Sequence, residues 1–147
     1  MGLSVDSEMC DVEPGVSVGE ILLRPHRSYL NVLEPLLNSE DRQRIKGLAH
    51  ITGGGLTDNI PRILPNGRSA TIERSTWTVP PLFDYLQRMG RVSDEEMFRT
   101  FNMGIGMVLV CSPIHVKDVQ YQLAKAGESD SLVIGHVTEG NGQLGYG

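Results

Sequence analysis

His50-Ile51-Thr52-Gly53-Gly54-Gly55-Leu56-Thr57-Asp58-Asn59-Ile60-Pro61-Arg62 carries the densest structural information in the chain. Residues 47–52 have the length and apolar content of a strand, and they run straight into three consecutive glycines. Residues 56–64 then suit a short helix. A strand that ends in a glycine loop at a helix mouth lets main chain approach a ligand closely. Its free amides, with the positive end of the helix dipole, make an anion site that needs no charged side chain. Gly53, Gly54 and Gly55 are therefore candidates to cradle a phosphate or carboxylate, and Arg62, one turn into the helix, could add a bidentate grip. A tight turn bearing an exposed loop is the other reading of the same spacing. No Gly-Lys-Ser or Gly-Lys-Thr follows, so this is not a P-loop. His50 stands where side chains project into the crevice beyond a sheet, a place for an imidazole to shuttle a proton or hold a phosphate oxygen. A purely structural histidine is the competing assignment.

Working outward, residues 1–16 read as an extended acidic leader or linker, with Asp6, Glu8, Asp11 and Glu13 and little apolar periodicity. Ser17 and Glu20 have capping-box spacing for a short helix that Pro25 halts. The apolar cluster from Tyr29 to Leu37 reads as a helix bent at Pro35, and Ser39 to Arg44 as a polar turn. Downstream of the glycine loop, Asn66-Gly67 marks a turn, and Ala70 and Ile72 alternate with polar neighbours as in a half-exposed strand. Pro80 and Pro81 open a helix that Gly90 stops, and Ser93 caps a second one. Residues 105–110 are apolar on both faces, as in a central strand buried from both sides. Ser112 and Pro113 introduce a helix whose Val116, Val119, Leu123 and Ala126 share one face, and Gly127 ends it. Residues 132–137 make a last strand, and 140–147 a flexible tail, frayed or used for a local contact. This order is mixed rather than alternating, which favours an α+β fold, a mixed sheet with helices on its faces, over a doubly wound one.

At 147 residues the chain has room for one domain that buries roughly 70% of its unfolded surface. Thirteen basic and eighteen acidic side chains leave a net charge of −5, so no positive field draws a phosphate backbone, and nucleic acid is not an expected partner. No apolar run is long enough to span a membrane, and the first residues lack the pattern of a secretion signal or transit peptide. A cytoplasmic location is the default expectation. Cys10 and Cys111 are expected reduced and non-catalytic. His26, His115 and His136 show no spacing that suggests a zinc site, so no metal is assigned. The Gly-x-Gly at Gly104 and Gly106 leads into a strand and lacks a third glycine, which excludes a dinucleotide fingerprint. Asp94, Glu95 and Glu96 fit the first turn of a helix, where negative charge is favourable, and Trp77 fits a packing role.

Three blocks together resemble the phosphoribosylformylglycinamidine cyclo-ligases, also called AIR synthetases: His50 to Pro65, Trp77 with Val79-Pro80, and Glu96-Met97-Phe98-Arg99-Thr100-Phe101-Asn102-Met103-Gly104-Ile105-Gly106-Met107. Gly19-Glu20, Leu22-Leu23 and Pro25 are similar to the family's entry into its C-terminal half. The resemblance runs from about Gly2 to Val137 and implies a three-layer α/β/α C-terminal domain over residues 17–139. It implies an enzyme of de novo purine biosynthesis in which ATP phosphorylates the amide oxygen of formylglycinamidine ribonucleotide and an internal nitrogen displaces phosphate to close the imidazole. Carried over by position, His50 is the histidine facing the other domain. Thr52 to Gly55 form the loop beside the ligand phosphates, with Asn59 and Arg62 as further substrate contacts. The family's N-terminal domain, which holds ATP and Mg2+ and forms the homodimer interface, is the expected partner, and this chain alone is expected to be inactive. A stand-alone module that binds a phosphorylated metabolite is the alternative.

Overall fold

Strand β1 (Ile45–His50) pairs antiparallel with β3 (Met107–Cys111), placing Leu48 opposite Leu109 and His50 opposite Met107 in the computed structural model, which describes residues 2–147. A second sheet has β2 (Arg68–Ile72) at its centre, antiparallel to β4 (Gly135–Glu139) and parallel to β5 (Leu144–Tyr146). The α+β class and the mixed pairing agree with the sequence, but the strands divide into two sheets.

Side chains alternate across a strand, so β3 feeds two separate cores. Val108 joins Ala49, Ile51, Leu56, Ile60, Ile72, Met97, Phe98 and Met103 in the larger one. Leu109 and Cys111 face the smaller one, built from Val32 and Leu36 of α2 (Leu30–Leu37) with Val119 and Leu123 of α6 (Val116–Lys125). The larger core is closed by α3 (Gly55–Asn59) and α5 (Asp94–Thr100). The β1–β3 ribbon is thus sandwiched between helices on either side. Residues 105–110 earn their two-faced apolarity in this way, although β3 has a ladder on one edge only and is not a central strand.

Several element ends differ from the sequence reading for identifiable reasons. The helix expected over 56–64 stops at Asn59, because Pro61 has no N–H to continue it, and a tighter turn spans Pro61–Ile63. The helix α4 (Pro81–Gly90) runs through Gly90 and ends on Arg91, which takes the left-handed conformation at φ 50°. The last long strand begins at Gly135 and extends to Glu139, since Leu132 and Val133 remain exposed. The Ser17–Glu20 capping box of α1 (Val18–Leu22) forms as expected, and its bonds from the Ser17 amide and hydroxyl hold the Glu20 carboxyl below the usual range.

Two stretches read as unstructured are folded. Residues 2–16 do not form an extended leader: Met9 is buried, its amide donates to the Val16 carbonyl at 3.0 Å, and the Val18 amide donates to Ser7 at 2.8 Å. Charge in this segment concealed a chain that satisfies its own backbone through successive turns. Residues 140–147 are no flexible tail either. They form β5, whose Tyr146 packs edge-on against Phe98 at 5.1 Å and shares a 2.8 Å hydrogen bond between its hydroxyl and Thr57 Oγ1. The Arg74 guanidinium lies 4.2 Å from the Phe98 ring centre and 4.6 Å from that of Tyr146. The folded unit therefore extends beyond the expected 17–139 at both ends.

Because Tyr146 ties the C-terminal strand to the helix after the glycine loop, its removal should be felt throughout the unit. Tyr146→Ala is expected to cost about 2 kcal/mol and Tyr146→Phe about half of that, measured by urea unfolding. Equal stability for all three forms would show that the strand is not docked.

Candidate functional site

The three glycines after β1 answer to three different constraints. Gly55 has φ 55°, and a Cβ there would lie 2.1 Å from the Phe98 carbonyl oxygen and 2.6 Å from that of Phe101. Only glycine lets the turn press against the end of α5. Gly54 has φ 98°, with Asp58 Cβ 2.9 Å from the place a Cβ would take, so it too is demanded by the fold. Gly53 is exposed, lies outside the left-handed region, and has nothing within 4 Å of a built Cβ. The packing of the chain does not ask for glycine at that position.

Asn59 organises the loop from behind. It is 6% exposed, and its Nδ2 donates to the carbonyls of Gly55 at 2.8 Å, Gly53 at 3.2 Å and Thr52 at 3.3 Å. Its Oδ1 accepts from Arg62 at 3.1 Å, which settles the orientation of the amide. With those carbonyls drawn inward, the loop amides are left to the other side. Gly55 N–H closes the turn onto the Thr52 carbonyl at 3.0 Å, while the amides of Gly53 and Gly54 donate to no protein acceptor among the described residues. A five-residue α3 contributes little dipole, so the unpaired amides of Gly53 and Gly54 are what this turn presents to solvent.

His50 is exposed at the end of β1, and its Nε2 lies 2.8 Å from Nε2 of His26. The two rings sit 5.0 Å apart, and Tyr29 lies edge-on at 6.1 Å from each. Tyr29 fits because residue 106 is glycine: a Cβ there would meet the phenolic oxygen at 2.0 Å. His26, Tyr29, His50 and Met107 thus line one groove with the exposed start of α2.

His50, Thr52 and Gly53 are exposed where the chain leaves β1, and Gly54 is half-buried. The structure places Gly55 and Asn59 underneath, where they shape the loop and do not present a group to solvent. Arg62 is exposed but spends one guanidinium nitrogen on Asn59. Trp77 packs as expected, donating its indole N–H to the Met103 carbonyl at 2.9 Å. Asp94, Glu95 and Glu96 occupy the first turn of α5 behind the Ser93 cap. Cys10 is exposed, Cys111 half-buried, and both are free; burial pushes the Cys111 thiol up. His26 was missed because 24 residues separate it from His50, a distance that no local spacing rule covers.

Residues 2–146 match the family described as AIR synthase related protein, C-terminal domain. The chain belongs to that family. A phosphoribosylformylglycinamidine cyclo-ligase of Desulfitobacterium hafniense is 52% identical over 126 residues, which cover 86% of this chain and 36% of that protein. Proteins of the same name from Caldicellulosiruptor saccharolyticus and Caldanaerobacter subterraneus subsp. tengcongensis are 46% and 43% identical, over 88% and 95% of this chain and 37% and 39% of theirs. This AIR synthase C-terminal domain therefore spans well under half the length of the curated relatives it matches.

Paired substitutions separate the glycines of this domain. Gly55→Ala is expected to destabilise by about 3 kcal/mol or more, because backbone must move, whereas Gly53→Ala should stay within about 0.5 kcal/mol of the parent. Chemical denaturation of both variants measures this, and comparable losses would contradict the division of roles.

Proposed function

We propose that this chain supplies the substrate-facing half of a cyclo-ligase site that closes the imidazole ring of aminoimidazole ribonucleotide from formylglycinamidine ribonucleotide. The observation that carries the reading is the exposed Gly53, which no packing constraint requires, with the unpaired amides of Gly53 and Gly54 three and four residues after an exposed imidazole. In this reading the amides of Gly53 and Gly54, with Thr52 beside them, hold an anionic oxygen of the substrate, its phosphate or the oxygen displaced during closure. His50 accepts the proton released by the attacking nitrogen. Arg62 and Asn59 hold the loop open, and Arg62 keeps donors free for the substrate phosphate.

The reaction needs ATP and Mg2+, and the residues present do not fit them. Among the described residues no three His, Cys, Asp or Glu side chains gather as a metal site, and no Gly-Lys-Ser or Gly-Lys-Thr loop is present. The proposal assigns both to the part of the full-length relatives that lies outside this chain, which also makes the N-terminal domain its partner and the site of dimer formation. Among the described residues no helix is long and apolar enough to cross a membrane, and a cytoplasmic setting is proposed from the purine-synthetic role.

Co-expression with the preceding two-thirds of the Desulfitobacterium hafniense relative tests this reading. The mixture is expected to form aminoimidazole ribonucleotide while this chain alone forms none, and His50→Ala should lower the turnover of the mixture by about a hundredfold. Turnover by the chain alone, or indifference of the mixture to His50→Ala, would defeat the proposal. Micromolar binding of the ribonucleotide by the chain unaided, measured calorimetrically, would favour a stand-alone binding module instead.

A further inference from the structure

Two imidazole nitrogens 2.8 Å apart must share a single proton. One Nε2 donates and the other accepts, because two N–H groups facing each other at that distance repel. The contact is not a loose collision of surface side chains. His26 follows Pro25, four residues after α1 ends at Leu22, His50 ends a paired strand, and Tyr29 is lodged against both rings in the space Gly106 leaves. The Arg27 guanidinium lies 5.5 Å from the Tyr29 ring centre and is itself tied to Glu128. Both histidines are exposed, so a built-in partner for Nε2 leaves Nδ1 as the nitrogen of His50 without a protein partner among the described residues.

We propose that His26 is a positioning residue for His50: its Nε2 accepts the Nε2–H of His50, so that the Nδ1 of His50 is bare and meets the substrate. This assignment rests on the proposed role of His50 as the proton acceptor, since a base must present an unprotonated nitrogen. The step then balances as follows. The N–H bond of the attacking substrate nitrogen breaks and an Nδ1–H bond forms on His50, while the His50 Nε2–H bond breaks and an Nε2–H bond forms on His26. His50 ends neutral in its other tautomer, and the positive charge finishes on His26, which is open to water and shares its groove with Glu34. Without His26, the proton taken up at Nδ1 would leave a full charge on His50 beside the bound substrate.

The pairing demands a tautomer that water does not favour. An unconstrained neutral imidazole prefers Nε2–H, whereas His26 must carry its proton on Nδ1 to accept from His50. Long-range proton–nitrogen correlation spectra of the nitrogen-15-labelled chain, at about pH 8.5, read this directly. Expected are a bare Nε2 on His26 and a protonated Nε2 on His50, with His26 switching to Nε2–H in His50→Ala. His26→Gln, whose amide oxygen can accept the same bond, should keep the His50 Nε2 proton visible, and His26→Ala should lose it. A protonated His26 Nε2 in the parent, or a His26 tautomer unchanged by His50→Ala, overturns the proposal. These spectra contain no substrate, so their failure leaves the ring-closure reading standing, and failure of the ring-closure assay leaves the tautomer assignment standing.

Discussion

The hydrogen bonds from Asn59 Nδ2 to the carbonyls of Thr52, Gly53 and Gly55 are the constraint on which the loop depends. A turn of consecutive glycines has many conformations and little reason to choose one, since glycine loses more freedom on ordering than any other residue. The two N–H bonds of a buried amide, shared among three inward carbonyls, choose it. Arg62 completes the network by filling the acceptor of Asn59, so no part of that amide is left without a partner in the interior. The consequence at the surface is geometric: carbonyls committed inward leave the amides of Gly53 and Gly54 to whatever approaches from outside.

That loop is in turn seated by the end of α5. The absence of a side chain at Gly55 lets its turn rest on the carbonyls of Phe98 and Phe101, and Phe98 carries the edge of Tyr146 and the face of Arg74. Thr57, on the helix that follows, bonds both the Phe98 carbonyl and the Tyr146 hydroxyl. The C-terminal strand, the second sheet and the glycine turn are therefore one packed assembly. The histidine cluster is supported separately, through the β1–β3 pairing and the glycine at 106. Two supports of different origin thus hold two exposed groups, the imidazole of His50 that ends β1 and the amide of Gly53 beyond it.

Much of this was legible from residues in order. Ser17 and Ser93 announced their helix starts, the two-sided apolar run around Val108 announced a strand buried on both faces, though not that it would be paired on one edge only, and His50 to Arg62 announced a glycine turn of chemical interest. Local rules failed where burial came from afar. Tyr146 reads as one aromatic in a glycine-rich tail, and Met9 as one apolar residue in an acidic stretch; neither has neighbours in sequence that reveal its packing. Asn59 looked like a contact for substrate and is a brace, because a polar residue on a short helix gives no sign of which way it faces until the helix is docked.

The α+β class and a glycine turn between a strand end and a helix start followed from spacing within a few residues and the steric freedom of glycine, and the family from the likeness of three sequence blocks. Only the tertiary structure decided which glycine serves the fold and which stands free, that Asn59 faces inward, and that His26 meets His50. Each of those depends on groups from distant segments arriving within a few ångströms of each other, and hydrogen-bond and contact forces act at that range irrespective of separation along the chain.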